Sequence, residues 1–283
     1  MLTCRSVEAA VNRFEEADRY AEAILSSQEL LALRTQIQGM DHYETVEAKY
    51  HLLATQKAAA LPLERRRVWR QTRLGALEAN RLIAKARYAQ AQPLFEAYLN
   101  SRRAELGERH PDTAMAYNGL AQTLVRQGQV AEAGPLFPKI LVIRRETLGV
   151  DHPVTAQSYT NLALSLGLSN QAADVGPLFE KALAIRRRVQ GEDHPETASS
   201  YDNLAYHLNA QGKAAAAEPL YEAALRIRRR VLGEFHIDTS MSYNNLAGNL
   251  STQNKAVEAG PYFAKALAIA LWSGGRANAS NWS

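Results

Sequence analysis

One feature limits this chain more than any other: it repeats itself every 42 residues. Pro93, Pro135, Pro177, Pro219 and Pro261 are each 42 apart, and Pro111, Pro153 and Pro195 make a second ladder with the same step. His110, His152, His194 and His236 form a third ladder, and Gly107, Gly149, Gly191 and Gly233 a fourth. Four ladders in one register mean an array of like units, because a unit this small cannot bury its own apolar face and must stack on its neighbours. Four strict units follow: 106–147, 148–189, 190–231 and 232–273.

Each unit reads as two helices. The first opens at a His-Pro pair, where proline loses no intrahelical bond and has its φ already set. Asp112, Glu196 and Asp238 follow, at the positive end of the helix dipole. Apolar residues then recur at helical spacing, as in Tyr117, Leu120, Ala121 and Leu124, or Tyr201, Leu204, Ala205 and Leu208. Gly128, Asn170, Gly212 and Asn254 stand at its end, both residue types being tolerant of the left-handed conformation. The second helix carries Phe137, Leu141 and Ile143 and their counterparts, and ends in basic residues such as Arg144 and Arg145, which suit the negative helix end. Pro135, Pro177, Pro219 and Pro261 fall about a turn inside it, where proline removes a backbone bond and bends the helix unless the helix starts later.

The first 105 residues keep the pattern less strictly. Arg19-Tyr20-Ala21-Glu22-Ala23 matches the start of a second helix, and Asp41-His42-Tyr43-Glu44-Thr45 matches Asp193-His194-Pro195-Glu196-Thr197. His42 and His110 are 68 residues apart, which is 42 plus 26, so the sequence places an added helix or extension near 60–84. The expected organisation is degenerate repeats over 1–105, four strict repeats over 106–273 and a disordered tail over 274–283, all in one continuous solenoid.

Composition agrees with packed helices. Alanine occurs 48 times and aromatic residues make up 7%. Small side chains let helices approach closely, as at Ala121, Ala163, Ala205 and Ala247. The charge of +4 does not by itself imply nucleic acid. One cysteine, Cys4, excludes an internal disulfide and a thiolate cluster. No signal peptide or membrane-length apolar run is visible, so a soluble, intracellular, cytoplasmic protein is expected. There is no phosphate-binding glycine loop, nucleophile elbow or paired-histidine zinc motif, so no catalysis, cofactor or metal is expected.

The unit His-Pro-x-Thr, Tyr-x-Asn-Leu-Ala, Gln-Gly, Pro-Leu-Phe/Tyr and Ala-Leu-x-Ile-Arg-Arg resembles the tetratricopeptide repeat in its 42-residue form, as in kinesin light chains. The resemblance covers nearly the whole chain and is strict over 106–269. It implies an all-α, right-handed superhelical solenoid of antiparallel helix pairs, with first helices lining a concave groove that binds a partner peptide. Groove asparagines of the family clamp the peptide backbone. The matching positions are Asn161, Asn203 and Asn245, with Gly119 departing from the pattern. The preceding ladder is Asn118, Thr160, Asp202 and Asn244, read as the more exposed set because adjacent helix positions differ by about 100°. Gln122, Tyr206 and Asn209 share its face. An amide pairs with both donors and acceptors of a peptide backbone, whereas a carboxylate only accepts.

The function expected is a non-catalytic scaffold for a protein or peptide partner. One alternative is a regulatory or sensor segment of a larger effector, suggested by the uncapped start. Another is RNA binding through Arg65, Arg66, Arg67, Arg70 and Arg73 around Trp69. The His-Pro histidines are expected to cap helices, the tyrosine stripe Tyr117, Tyr159, Tyr201 and Tyr243 to pack in the core, and the triplets Arg186–Arg188 and Arg228–Arg230 to be solvated partners of the helix dipole. Oligomeric state and partner identity are left open by the sequence.

Overall fold

The computed structural model describes residues 3–169 and 175–279, with the side chains of the last helix described to Trp272. The described residues are all-α, a solenoid of paired antiparallel helices. Two compact units, 1–158 and 159–283, divide them.

The first unit opens with α1 (Cys4–Glu16), α2 (Tyr20–Gln38) and α3 (Tyr43–Ala59). Val7, Leu30 and Ala48 bring these three together in one apolar cluster. Helices α4 (Leu63–Ala84) and α5 (Tyr88–Leu106) form a hairpin, and α5 packs on α6 (Pro111–Arg126). Helix α4 ends 42 residues before the end of α6 and pairs with α5 as an ordinary first helix. The additional helix is α3, whose own second helix is missing. In the next repeat the second helix is split into α7 (Val130–Ala133) and α8 (Leu136–Thr147), both packed on α6. The Gly-Pro pair alone does not break a helix, since Gly260-Pro261 lies inside one; this repeat adds Pro138, whose missing N–H and ring oppose the Gly134 carbonyl, and Pro135 becomes the cap of α8. Pro93, like Pro219 and Pro261 in the second unit, stays inside a continuous helix.

The unit boundary falls in α9 (Pro153–Leu168). The second unit continues with α10 (Val175–Val189), α11 (Pro195–Ala210), α12 (Ala214–Leu232), α13 (Ile237–Thr252) and α14 (Ala256–Ala279). Pro219 and Pro261 lie inside α12 and α14. Helix α14 runs on to Ala279, into the span 274–283 that the sequence reads as a tail; residues 280–283, like Asn170, lie outside the described residues.

The same joint recurs where each second helix meets the next first helix. Gly107, Gly149, Gly191 and Gly233 take φ between 83° and 97°, a turn that a side chain resists. Thr113, Thr155, Thr197 and Thr239 each donate to the carbonyl of the glycine six residues before, at 2.8 Å. His110, His152, His194 and His236 accept through Nδ1 from the backbone N–H two residues on, at 3.1–3.2 Å. The histidine ladder thus caps helices. The tyrosine stripe is buried, and the Tyr117, Tyr201 and Tyr243 hydroxyls donate to Glu108, Glu192 and Glu234 at 2.6 Å.

Gly119 has a packing reason. The Phe95 ring of the preceding repeat lies where its Cβ would be, so asparagine cannot stand there unless the ring moves.

Candidate groove residues and the buried arginine ladder

First helices carry every residue that the sequence assigned to a groove. In the first unit Asn118 is half-buried and Gln122 exposed, both on α6. In the second unit Thr160 and Asn161 on α9 are both buried, and neither is without a partner. On α11, Asp202, Asn203 and Asn209 are half-buried and Tyr206 is exposed, at 69%. On α13, Asn244 is exposed and Asn245 half-buried. The ladder 118, 160, 202 and 244 is therefore not uniformly the open one: Thr160 is as enclosed as Asn161, and only at 244 and 245 does exposure follow the expected order.

Two of these side chains already have structural work. Asn209 Oδ1 accepts from Asn249 Nδ2 at 3.0 Å and from Thr252 Oγ1 at 3.2 Å, tying α11 to α13. Asp202 forms an ion pair with Arg228 and lies near the Asn245 side chain. Burial pushes the Asp202 carboxyl up, against the pull of Arg228 and Asn245.

Arg228 belongs to a ladder that the sequence reading missed. Arg102, Arg144, Arg186 and Arg228 are spaced by 42 and are all buried. The triplets are thus not uniformly solvated: Arg186 and Arg228 turn inward while Arg187, Arg188, Arg229 and Arg230 stay exposed. Arg144 donates to Ser158 Oγ at 2.8 Å, Arg186 to Ser200 Oγ at 2.8 Å and Arg228 to Ser242 Oγ at 2.5 Å, always fourteen residues on. Arg186 also reaches the Glu196 carbonyl at 3.1 Å and its carboxylate at 2.9 Å. Arg102 has alanine at that offset and instead lies over the Trp69 ring at 3.4 Å and the Tyr98 ring at 4.5 Å. Each guanidinium supplies several donors in a fixed plane, so one side chain can bind a backbone carbonyl and a hydroxyl of the next first helix together. The signal was present in the paired arginine and serine ladders; it was masked by the exposed arginines beside them.

Helix α3 covers two of the capping histidines inside the first unit. The Tyr50 ring stands edge-on to His110 at 5.6 Å and the Tyr43 ring edge-on to His152 at 5.7 Å. His152 Nε2 lies 3.3 Å from the Tyr43 carbonyl and 3.6 Å from Glu47 Oε1. Burial, helped by the nearby charge of Arg144, pushes the His152 pKa down to about 4.

The arginine cluster on α4 is largely used internally. Arg65 makes two bonds to Glu105, at 2.9 and 2.7 Å. Arg66 donates to the carbonyls of Ala59 and Leu61, Arg67 pairs with Glu64, and Arg73 pairs with Glu15. Trp69 is buried beneath Arg102 and offers no stacking platform for a base. Among the described residues, no group of three or more His, Cys, Asp or Glu could hold a metal ion, and no helix is long and apolar enough to cross a membrane.

Comparisons with known proteins agree with this architecture. Two family models, each described as tetratricopeptide repeat, match 113–154 and 155–196 in one case and 176–228 and 201–271 in the other. Together they cover 113–271, more than half of the chain. A crystal structure of a putative kinesin light chain from Podosopora anserina, with nearly identical TPR-like repeats, is 25% identical with TM-score 0.61, covering 72% of this chain and 96% of that one. BtubC (BKLC) from P. vanneervenii is 18% identical with TM-score 0.60, covering 95% and 93%. Aspartyl phosphate phosphatase F from Bacillus subtilis is 13% identical with TM-score 0.62, covering 97% and 76%. The last two are likenesses of fold alone. No curated protein sequence matches the chain significantly. The fold is one typical of protein–protein interaction scaffolds. With its 42-residue units, its capped hairpins and these matches, the chain belongs to the tetratricopeptide-repeat family and is similar to its kinesin-light-chain-like members.

Proposed function

We propose that the protein binds an extended peptide segment of a partner along the first helices of its second unit. The observation that carries this reading is the open polar face of α11 and α13. Tyr206 and Asn244 are exposed on neighbouring first helices, and Asn203 and Asn245 are half-exposed beside them. Asparagine amides can pair with both donors and acceptors of an extended backbone. Tyr206 offers a broad ring with little rotamer entropy to lose, the property that makes tyrosine common at binding hot spots. Asp202 is less suited to direct contact, because Arg228 already holds it.

The test follows from that distinction. Replacing Asp202 would disturb the arginine ladder, so the informative variant is Tyr206→Ala with Asn244→Ala. Peptides from a displayed random library are selected on the full chain, then measured on the variant. Their affinity is expected to fall roughly tenfold or more, with the melting temperature unchanged. Equal affinity for both proteins would place recognition elsewhere.

A further inference from the structure

Helix α14 departs from its repeat in one consistent way. Exposed Glu222, Arg226, Arg229 and Arg230 of α12 have Ala264, Ala268, Leu271 and Trp272 as their counterparts, and buried Arg228 has Ala270. From Ala256 to Trp272 only Glu258 and Lys265 are charged. Those two lie on the opposite side of the helix from the stripe through Ala256, Gly260, Phe263 and Leu267, by the 100° advance per residue of an α-helix. Lys265 turns toward α13, with its ammonium 5.2 Å from the Tyr243 ring.

That stripe is the continuation of an interface already present in the fold. On α12, Tyr221 and Leu225 are 4% and 6% exposed, packed with Tyr243 and Leu246 of α13. Their counterparts on α14, Phe263 and Leu267, are 41% and 61% exposed, with Leu271 at 68% beside them. The face that stacks on the next helix everywhere else is thus open here, and the charges that would keep an open face soluble are gone.

The stripe has two ridges. Ala256, Gly260, Ala264 and Ala268 make a row of small residues, and Phe263, Leu267 and Leu271 make a row of large ones, all exposed and each spaced by four. We propose that this face is a homodimer interface, in which α14 of a second copy packs antiparallel about a two-fold axis. Rows spaced by four are the ridges that interlock in the commonest helix packing. A two-fold axis near 263–264 sets Ala256 against Leu271, Gly260 against Leu267 and Ala264 against Phe263, so every large residue meets a small one. An isologous contact needs such a self-complementary patch, and a charge-free surface suits a charge-free partner.

The experiment uses the full chain. Sedimentation equilibrium over a wide concentration range is expected to give a mass twice the chain's 31.3 kDa. Leu267→Glu with Gly260→Glu, both at exposed positions, is expected to give a monomer of unchanged helicity and melting temperature. Register is tested by oxidation of single-cysteine variants in a Cys4→Ser background. Ala264→Cys, beside the axis, is expected to cross-link to its own copy. Ala256→Cys is not, because the two copies of that residue lie about 20 Å apart along the helix pair. A wild-type protein that stays monomeric at the highest concentration, a double variant that still dimerises, or cross-linking at 256 rather than 264 would each overturn the proposal.

Discussion

At the scale of the residue, sequence neighbours in the arginine runs have opposite fates. Arg228 is 8% exposed and bonds Ser242, Asp202 and Ser199 across α11 and α13, whereas Arg230 lies on the surface with Asp193 as its partner. Removing one member of a buried ion pair leaves its partner stranded, which typically costs about 3–5 kcal/mol, while exposed pairs contribute about 0–1 kcal/mol. Arg228→Ala is therefore expected to lower unfolding stability by about 3 kcal/mol and Arg230→Ala by less than about 0.5 kcal/mol. Urea denaturation of both variants checks this, and equal losses would mean the ladder is not a structural tie. Charge and closeness to the helix end do not separate the two arginines, but the period does: Arg228 falls seven residues after Tyr221, on the buried stripe, and Arg230 on the opposite side. What distinguishes them is the serine fourteen residues on, on the next helix.

At the scale of the element, each first helix depends on a histidine cap, and the cap depends on protonation. His152 Nδ1 accepts from the Val154 N–H, so the ring proton sits on Nε2, facing the Tyr43 carbonyl. A second proton would have to go on Nδ1, where it would face that N–H instead of accepting from it. This agrees with the folded pKa of about 4, held down by burial from an ordinary 6.5. The sign follows: between those values the unfolded chain binds more protons, so stability falls as pH falls from about 6.5 to 4. This one group accounts for a loss of about 3 kcal/mol across that range. His152→Asn keeps a capping acceptor and removes the titration. Its stability at neutral pH is expected to be lower than that of the parent, with a flatter profile over the same range in thermal melts. A profile parallel to the parent's would assign the acid sensitivity to other groups. The capping role was legible in the His-Pro pairs; the depressed pKa was not, because it comes from α3, more than 90 residues upstream.

At the scale of the whole molecule, stability in such an array is set by contacts between neighbouring hairpins. Leu246 on α13 is 2% exposed, in a cluster built from α11, α12, α13 and α14. Leu246→Ala is expected to cost about 2–5 kcal/mol by the cavity it leaves. Hydrogen exchange is expected to speed up across α11–α14 and to change little in α4–α6. Uniform acceleration through the chain would instead mean a single cooperative unit. The 42-residue register predicts which helices share a cluster, and it also locates the two departures from regularity. Pro138, added to the Gly134-Pro135 pair, splits one second helix, and α3 stands without a second helix of its own.

The repeat by itself determined the hairpins, their caps, the glycine turns and the tyrosine core. These depend on interactions within a unit or with the next one, and a periodic sequence states them again in every unit. Only the tertiary structure decided which polar residues of the first helices are open. Thr160 and Asn161 are enclosed, Asp202 is held by Arg228, Asn209 braces α13, and Tyr206 and Asn244 remain exposed. The physical reason is that exposure belongs to the neighbours a side chain has in space, and a helical period specifies direction but not what lies along it.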